Sequence, residues 1–373
     1  MSLNRSVRYV LPLLAVLALS LGLAKSNLNR TLQAKETASP SPIFPKALAP
    51  GDTVMIVAPA KCLDQGRVAL AKQRLEKMGF KVKIPAGLFR KWGFLGGTDD
   101  ERAAEIMEAF SDPKVNAIFP GTGGYGTTRI VDKLDYNVIH RNPKILVGFS
   151  DITGLHIAIN QKTGLVTFHS PNPEWGLGVD KNLSPFAAKW FWRALLAKEY
   201  GPNPGYLIRT SASDPPLPGD GKLFEDVPRT HTIRGGKARG RLTGGNLSVM
   251  HALMGTEFEI QTDGKLLFIE DVGEAPYRVD RMLQTMRLAG KFDHVAGVIL
   301  GQFTARSEEA AWDEDASLDD VLRDFFGNLK VPVVTHFPVG HVRYNATLPV
   351  GAMAELDADA RTVRILENPV KLP

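Results

Sequence analysis

From Asp52 onward, short apolar runs alternate with stretches of helical spacing. TVMIVA (53–58) predicts a buried strand, and Gln65–Met78 predicts an amphipathic helix stopped by Gly79. KVKI (81–84), NAIF (116–119), KILVG (144–148) and LVTF (165–168) predict further strands. Helical spacing lies between them at Asp99–Phe110, Thr128–Leu134 and Ile152–Asn160. This alternation predicts a mainly parallel sheet covered on both faces, with its ligand crevice beyond the carboxyl ends of the strands. Further on, LLFIE (266–270), VAGVIL (295–300), PVVT (332–335), AMAEL (352–356) and TVRIL (362–366) predict strands. Only two clear helices accompany those strands, Tyr277–Leu288 and Leu318–Phe326.

The expected fold class is therefore α/β: an N-terminal three-layer domain with a parallel sheet at 51–200, and a smaller strand-rich C-terminal α/β domain at 241–373. The Pro-, Gly- and Ser-rich segment 201–240 reads as the linker between them. The start of the chain follows another pattern. Arg5 and Arg8 precede an apolar run, Tyr9–Ala24, that is shorter than the ~20 residues a spanning helix needs. Residues 1–24 read as a secretory signal cleaved near Lys25 or as an uncleaved membrane anchor, and the polar stretch 25–50 as a linker. Either reading places the protein outside the cytoplasm, in the periplasm or cell envelope.

Composition narrows the chemistry. With 44% hydrophobic and 23% charged residues, a disordered or polytopic membrane chain is excluded. The single cysteine, Cys62, excludes an intrachain disulfide framework and any multi-cysteine metal site. No H-E-x-x-H or comparable ligand cluster appears, so no metal is expected. The 45 basic and 40 acidic residues form no long basic run, which gives nucleic-acid binding no support.

Two local motifs carry candidate chemistry. In KILVGFSDITGLHIAI a strand ends at Gly148, and Phe149 and Ser150 turn into a helix starting near Asp151. That geometry offers a serine hydroxyl as nucleophile and the first helical amides as oxyanion donors; the competing reading is a helix cap. In PGTGGYGTTR (120–129), Gly121, Gly123 and Gly126 satisfy G-x-G-x-x-G. A dinucleotide site, a close approach of backbone amides to a reacting oxygen, and a plain turn all remain open for that motif. A serine nucleophile needs an imidazole base and an orienting carboxylate. Of the eight histidines, His156 has the spacing of a buried helical residue, while His341 and its neighbour His336 lie in loops. Glu270 ends a predicted strand, and Asp271 and Glu274 follow it. Pattern alone does not choose among them.

Taken together, APGDTVMIVAPA, GTDDERAAEI, GGYG (123–126), GFSD (148–151), LTGGNLSVM (242–250), LFIEDVGEAPYRVDRML (267–283), GVILGQF (297–303) and GHVRYNATLPVG (340–351) resemble the LD-carboxypeptidase family. That family comprises the murein tetrapeptide carboxypeptidases and the microcin C self-immunity peptidases. The resemblance implies a serine peptidase with Ser150 as nucleophile, Glu270 as carboxylate and His341 as general base. It further implies oxyanion donors at Gly124 and Asp151, no cofactor, and a homodimer. The implied reaction removes the terminal D-alanine from a peptidoglycan tetrapeptide. Three loop positions depart from the family's pattern: Thr122 replaces an arginine, Ala60 a serine and Ser170 a glycine. Two alternatives accompany this expectation: cleavage of another amide, such as a peptide–nucleotide conjugate, and a non-catalytic extracytoplasmic binding protein.

Overall fold

Among the described residues, two sheets built from fourteen strands set the positions of the candidate residues. The computed structural model describes residues 40–199, 204–212, 218–304 and 317–372. The apolar run assigned to export or anchoring, and the linker up to residue 39, lie outside the described residues. Among the described residues no helix is long and apolar enough to cross a membrane.

The first sheet begins as expected, with β1 (Thr53–Val57), β2 (Lys81–Lys83), β3 (Ala117–Pro120), β4 (Ile145–Gly148) and β5 (Thr167–His169) all mutually parallel. Its strands β1, β3, β4 and β5 are buried almost throughout, which is why they read as continuous apolar runs. Helices cover it at Gln65–Lys77, Asp99–Ser111 and Thr153–Thr163. The Asp99 helix starts at a capping box, with Thr98 and Glu101 satisfying each other's backbone amides.

The second sheet contains eight strands: β6 (Tyr206–Ile208), β7 (His231–Arg234), β8 (Lys237–Asn246), β9 (Leu266–Val272), β10 (Gly297–Thr304), β11 (Val333–Thr335), β13 (Met353–Asp357) and β14 (Thr362–Ile365). Its order is β6-β14-β13-β8-β9-β10-β11-β7, with a parallel centre of β8, β9, β10 and β11 and antiparallel flanks. Between β11 and β13 the chain returns to the first sheet, where β12 (Leu348–Val350) pairs antiparallel with β5. The hydrophobic core follows this interleaving: Phe168 of β5, Phe268 of β9 and Leu348 of β12 belong to one buried cluster.

Four expectations need correction. The segment 201–240 contributes β6, β7 and the start of β8 to the second sheet, because Tyr206, Ile208 and Ile233 have cores to meet. Residues 41–49 are strapped to the fold: Ile43 donates to the Gly164 carbonyl, and Ala47 and Leu48 are buried. Thr128–Leu134 is not a continuous helix; two 3₁₀ turns, Thr127–Arg129 and Val131–Lys133, are followed by a short helix at Tyr136–Arg141 capped by Asp135. Asp271 lies within β9, not in a loop after it, and is buried.

Candidate active site

Ser150 stands where the chain leaves β4. Phe149 is extended, and Ser150 takes the left-handed conformation, φ +63°. A non-glycine residue held there costs roughly 1–2 kcal/mol, a strain found at sharp nucleophile turns. The Ser150–Ile152 3₁₀ turn then leads into the helix Thr153–Thr163.

The glycine-rich loop closes over this turn. At Gly123 an added Cβ would lie 2.9 Å from Ser150 Cβ and 3.1 Å from both Ser150 Oγ and the Asp151 nitrogen. Only glycine allows that approach. The loop is tied down by Asp151, whose carboxylate accepts from the Thr127 amide at 2.8 Å while Thr127 Oγ1 donates to the Asp151 carbonyl at 2.5 Å. Burial pushes the Asp151 carboxyl up against those bonds. Its side chain is thus committed to holding the loop. The G-x-G-x-x-G match leads into short 3₁₀ turns and opens no long helix, so the dinucleotide geometry is absent.

Glu270 and His341, 71 residues apart, meet in a hydrogen bond of 2.7 Å between His341 Nδ1 and Glu270 Oε2. Glu270 is wholly buried in β9, and His341 is partly exposed in the loop after β11. Burial alone would raise the Glu270 carboxyl, but the facing His341 and His169 imidazoles bring it down to about 2. Burial works against a charged His341, yet the Glu270 charge and hydrogen bond outweigh it and raise the imidazole above its ordinary value. With Nδ1 held by the carboxylate, Nε2 is the nitrogen left to take a proton. Gly340 makes room for this pair: at φ +120°, an added Cβ would sit 2.8 Å from Glu270 Oε2. Gly340→Ala should therefore push the carboxylate off His341 and lower kcat roughly 10- to 100-fold, measured by steady-state turnover beside a melting curve.

The fold brings these groups to one region. The ring of Phe149, the residue before Ser150, packs 4.8 Å from the His341 ring. Among the described residues Ser150 and His341 share no direct hydrogen bond; such contacts commonly tighten only with substrate bound. Ser150, Asp151 and Gly124 line one cleft of about 250 Å³, together with Asn246, Asp271 and Glu274. His336 instead faces Asp319 at 3.4 Å. His156 is buried, bonded to the Gly148 carbonyl and Thr167 Oγ1, and burial drives its pKa down to about 3, which keeps it neutral.

Sequence reasoning missed His169 as a neighbour of the acid and left the role of Asp271 open. His169 ends β5 with Nε2 3.8 Å from Glu270 Oε1, both wholly buried; its position at a strand's carboxyl end was the available signal. Asp271 accepts from Asn246 Nδ2 and from the amide and hydroxyl of Ser248, and burial raises it to about 6. Of the departures noted above, Thr122 accepts from Trp175 Nε1 at 3.2 Å, and Ser170 Oγ accepts from the Gly148 amide at 3.3 Å. Among the described residues no group of His, Cys, Asp and Glu could hold a metal ion.

Comparison with known proteins places this geometry. Residues 54–170 match the model of the LD-carboxypeptidase N-terminal domain, and 239–356 that of the C-terminal domain. A probable murein peptide carboxypeptidase of Bacillus subtilis is 38% identical over 321 residues, covering 86% of this chain and 93% of that protein. The structure of MccF in complex with glutamyl sulfamoyl guanosine aligns at TM-score 0.76 and 26% identity, over 88% of this chain and 100% of that one. That of the muramoyltetrapeptide carboxypeptidase from Oxalobacter formigenes aligns at 0.69 and 27%, over 84% and 97%.

Proposed function

This chain belongs to the LD-carboxypeptidase family, and we propose that within it the protein is a serine LD-carboxypeptidase that removes the terminal D-alanine from peptidoglycan tetrapeptides. The observation that carries this reading is the Glu270–His341 bond beside the strained turn of Ser150. Ser150 Oγ attacks the scissile carbonyl while His341 Nε2 takes its proton. Glu270 fixes the imidazole tautomer and balances the positive charge that forms. The amides of Gly124 and Asp151 receive the oxyanion, worth roughly 3 kcal/mol per donor. His341 then protonates the departing amine, and water releases the tripeptide from Ser150.

His341 must be neutral to act as base. Its raised pKa therefore places the acidic limb of kcat/KM above the ordinary imidazole value of about 6.5. A pH–rate profile checks this; a limb at or below that value would contradict the assignment.

Incubation with a defined tetrapeptide tests the reaction, with the released amino acid identified by mass. Free D-alanine is the expected product, and an intact peptide refutes the reading. The likeness to MccF favours a second reading, cleavage of a peptide–nucleotide amide, and an aminoacyl sulfamoyl nucleoside in the same assay distinguishes the two. The export-like start at 1–24 supports work outside the cytoplasm on wall peptides, whether cleaved or retained as an anchor. The family likeness supports a homodimer.

A further inference from the structure

A second cleft, of about 370 Å³, is lined by Phe149, Arg343 and Asn345 together with Trp175, Asp180 and Lys181. We propose that this cleft holds the leaving residue of the substrate and that Arg343 and Lys181, with the amide of Asn345, bind its free carboxylate. The inference rests on the peptidase reading above and adds what makes the enzyme an exopeptidase.

Orientation comes first from proton traffic. The group that protonates the leaving nitrogen must stand beside it. His341 has that duty; its ring packs on Phe149 and it is followed in the chain by Val342 and Arg343, and these three neighbours, Phe149, Val342 and Arg343, line this cleft. The leaving residue therefore occupies the His341 side, with the acyl part toward Gly124 and Asp151.

Charge gives the same direction. Among the described residues, the cleft containing Ser150 is lined by the carboxylates of Asp151, Asp271 and Glu274 and by no cation. A substrate carboxylate placed there would be repelled. The second cleft has two cations, Arg343 and Lys181, against the single carboxylate of Asp180. Neither cation is engaged in an ion pair among the described residues. The third donor is more specific. Asn345 is 2% exposed, and its Oδ1 accepts from the Gly340 amide at 3.1 Å. That bond fixes Nδ2 as the other end of the amide, and Nδ2 is buried with no hydrogen-bond partner among the described residues. Buried donors are rarely left unpaired, so an orphan in a cleft lining marks a ligand acceptor. A carboxylate one carbon from the scissile nitrogen supplies it.

The test compares one tetrapeptide with its C-terminal amide, on the wild type and on the Arg343→Met, Lys181→Met double variant. Both substitutions keep most of the apolar stem and remove the charge. The wild type is expected to favour the free carboxylate. In the variant, kcat/KM for the carboxylate peptide should fall about 10- to 100-fold further than for the amide peptide. An equal fall for both peptides, or an unchanged preference, overturns the inference alone. A wild type that cleaves neither peptide, though it melts as a folded protein, overturns the peptidase reading and the inference with it.

Discussion

Ser150→Ala should lower kcat/KM about 10⁴- to 10⁶-fold and leave substrate binding close to wild type. The hydroxyl is the only group removed. Alanine keeps a Cβ at the φ of +63°, so the turn carries the same strain. The loop over it is held by Thr127 and Asp151, which the change does not touch. Stability should shift by less than about 0.5 kcal/mol in urea unfolding. Ser150→Gly separates strain from chemistry. It should be equally inactive, yet no less stable, because glycine adopts the left-handed region at no steric cost. Steady-state turnover and isothermal titration with the tetrapeptide read both halves. Turnover within tenfold of wild type in Ser150→Ala would exclude the serine as nucleophile.

Glu270→Gln is the second large effect, expected at about 10³- to 10⁴-fold in kcat. The side chain keeps its size in a wholly buried site, but its amide nitrogen can face His341 Nδ1 and favour the wrong tautomer. The change also moves the pH profile in a definite direction. In the wild type the Glu270 charge holds the His341 pKa up against burial. Without that charge burial prevails, and the acidic limb should move below about 6.5. Loss of activity with an unmoved limb would mean that Glu270 supports the fold but does not set the base.

Much of the fold can be read from the residues because its central strands are doubly covered. TVMIV, ILVG, LLFIE and GVIL are apolar on both faces and stand out as runs. The longest strand, β8, escapes that reading. Its sequence, KARGRLTGGN, carries three cations in its first half and two glycines near its end, although the five residues from Leu242 to Asn246 are buried. Glycine has no side chain to signal a core position. β12 escapes because it is three residues long and contains Pro349, and its partner β5 lies some 180 residues earlier. Nothing local encodes such a pairing.

The site divides the same way. Ser150 is visible from its own segment, since strand, turn and helix are contiguous. The partnership of Glu270 with His341 is not, because it depends on β9 and the loop after β11 converging. Family resemblance supplied that pair, and spacing alone left His336 and Asp271 in contention. Geometry removes both: His336 turns to Asp319, and Asp271 is occupied by Asn246 and Ser248. His169 stayed hidden because a histidine in a strand has no pattern that distinguishes a core residue from a neighbour of the acid.

The most direct test of the Ser150–His341–Glu270 assignment uses an ester analogue of the tetrapeptide, with terminal D-lactate in place of D-alanine. Its better leaving group lets acylation outrun hydrolysis, so a covalent intermediate accumulates. After acid quench and peptide mapping, the peptide containing Ser150 should carry the tripeptide acyl group, a mass equal to the tripeptide less one water. Turnover of the ester with that peptide unmodified, or with the acyl group on a different residue, would contradict the assignment.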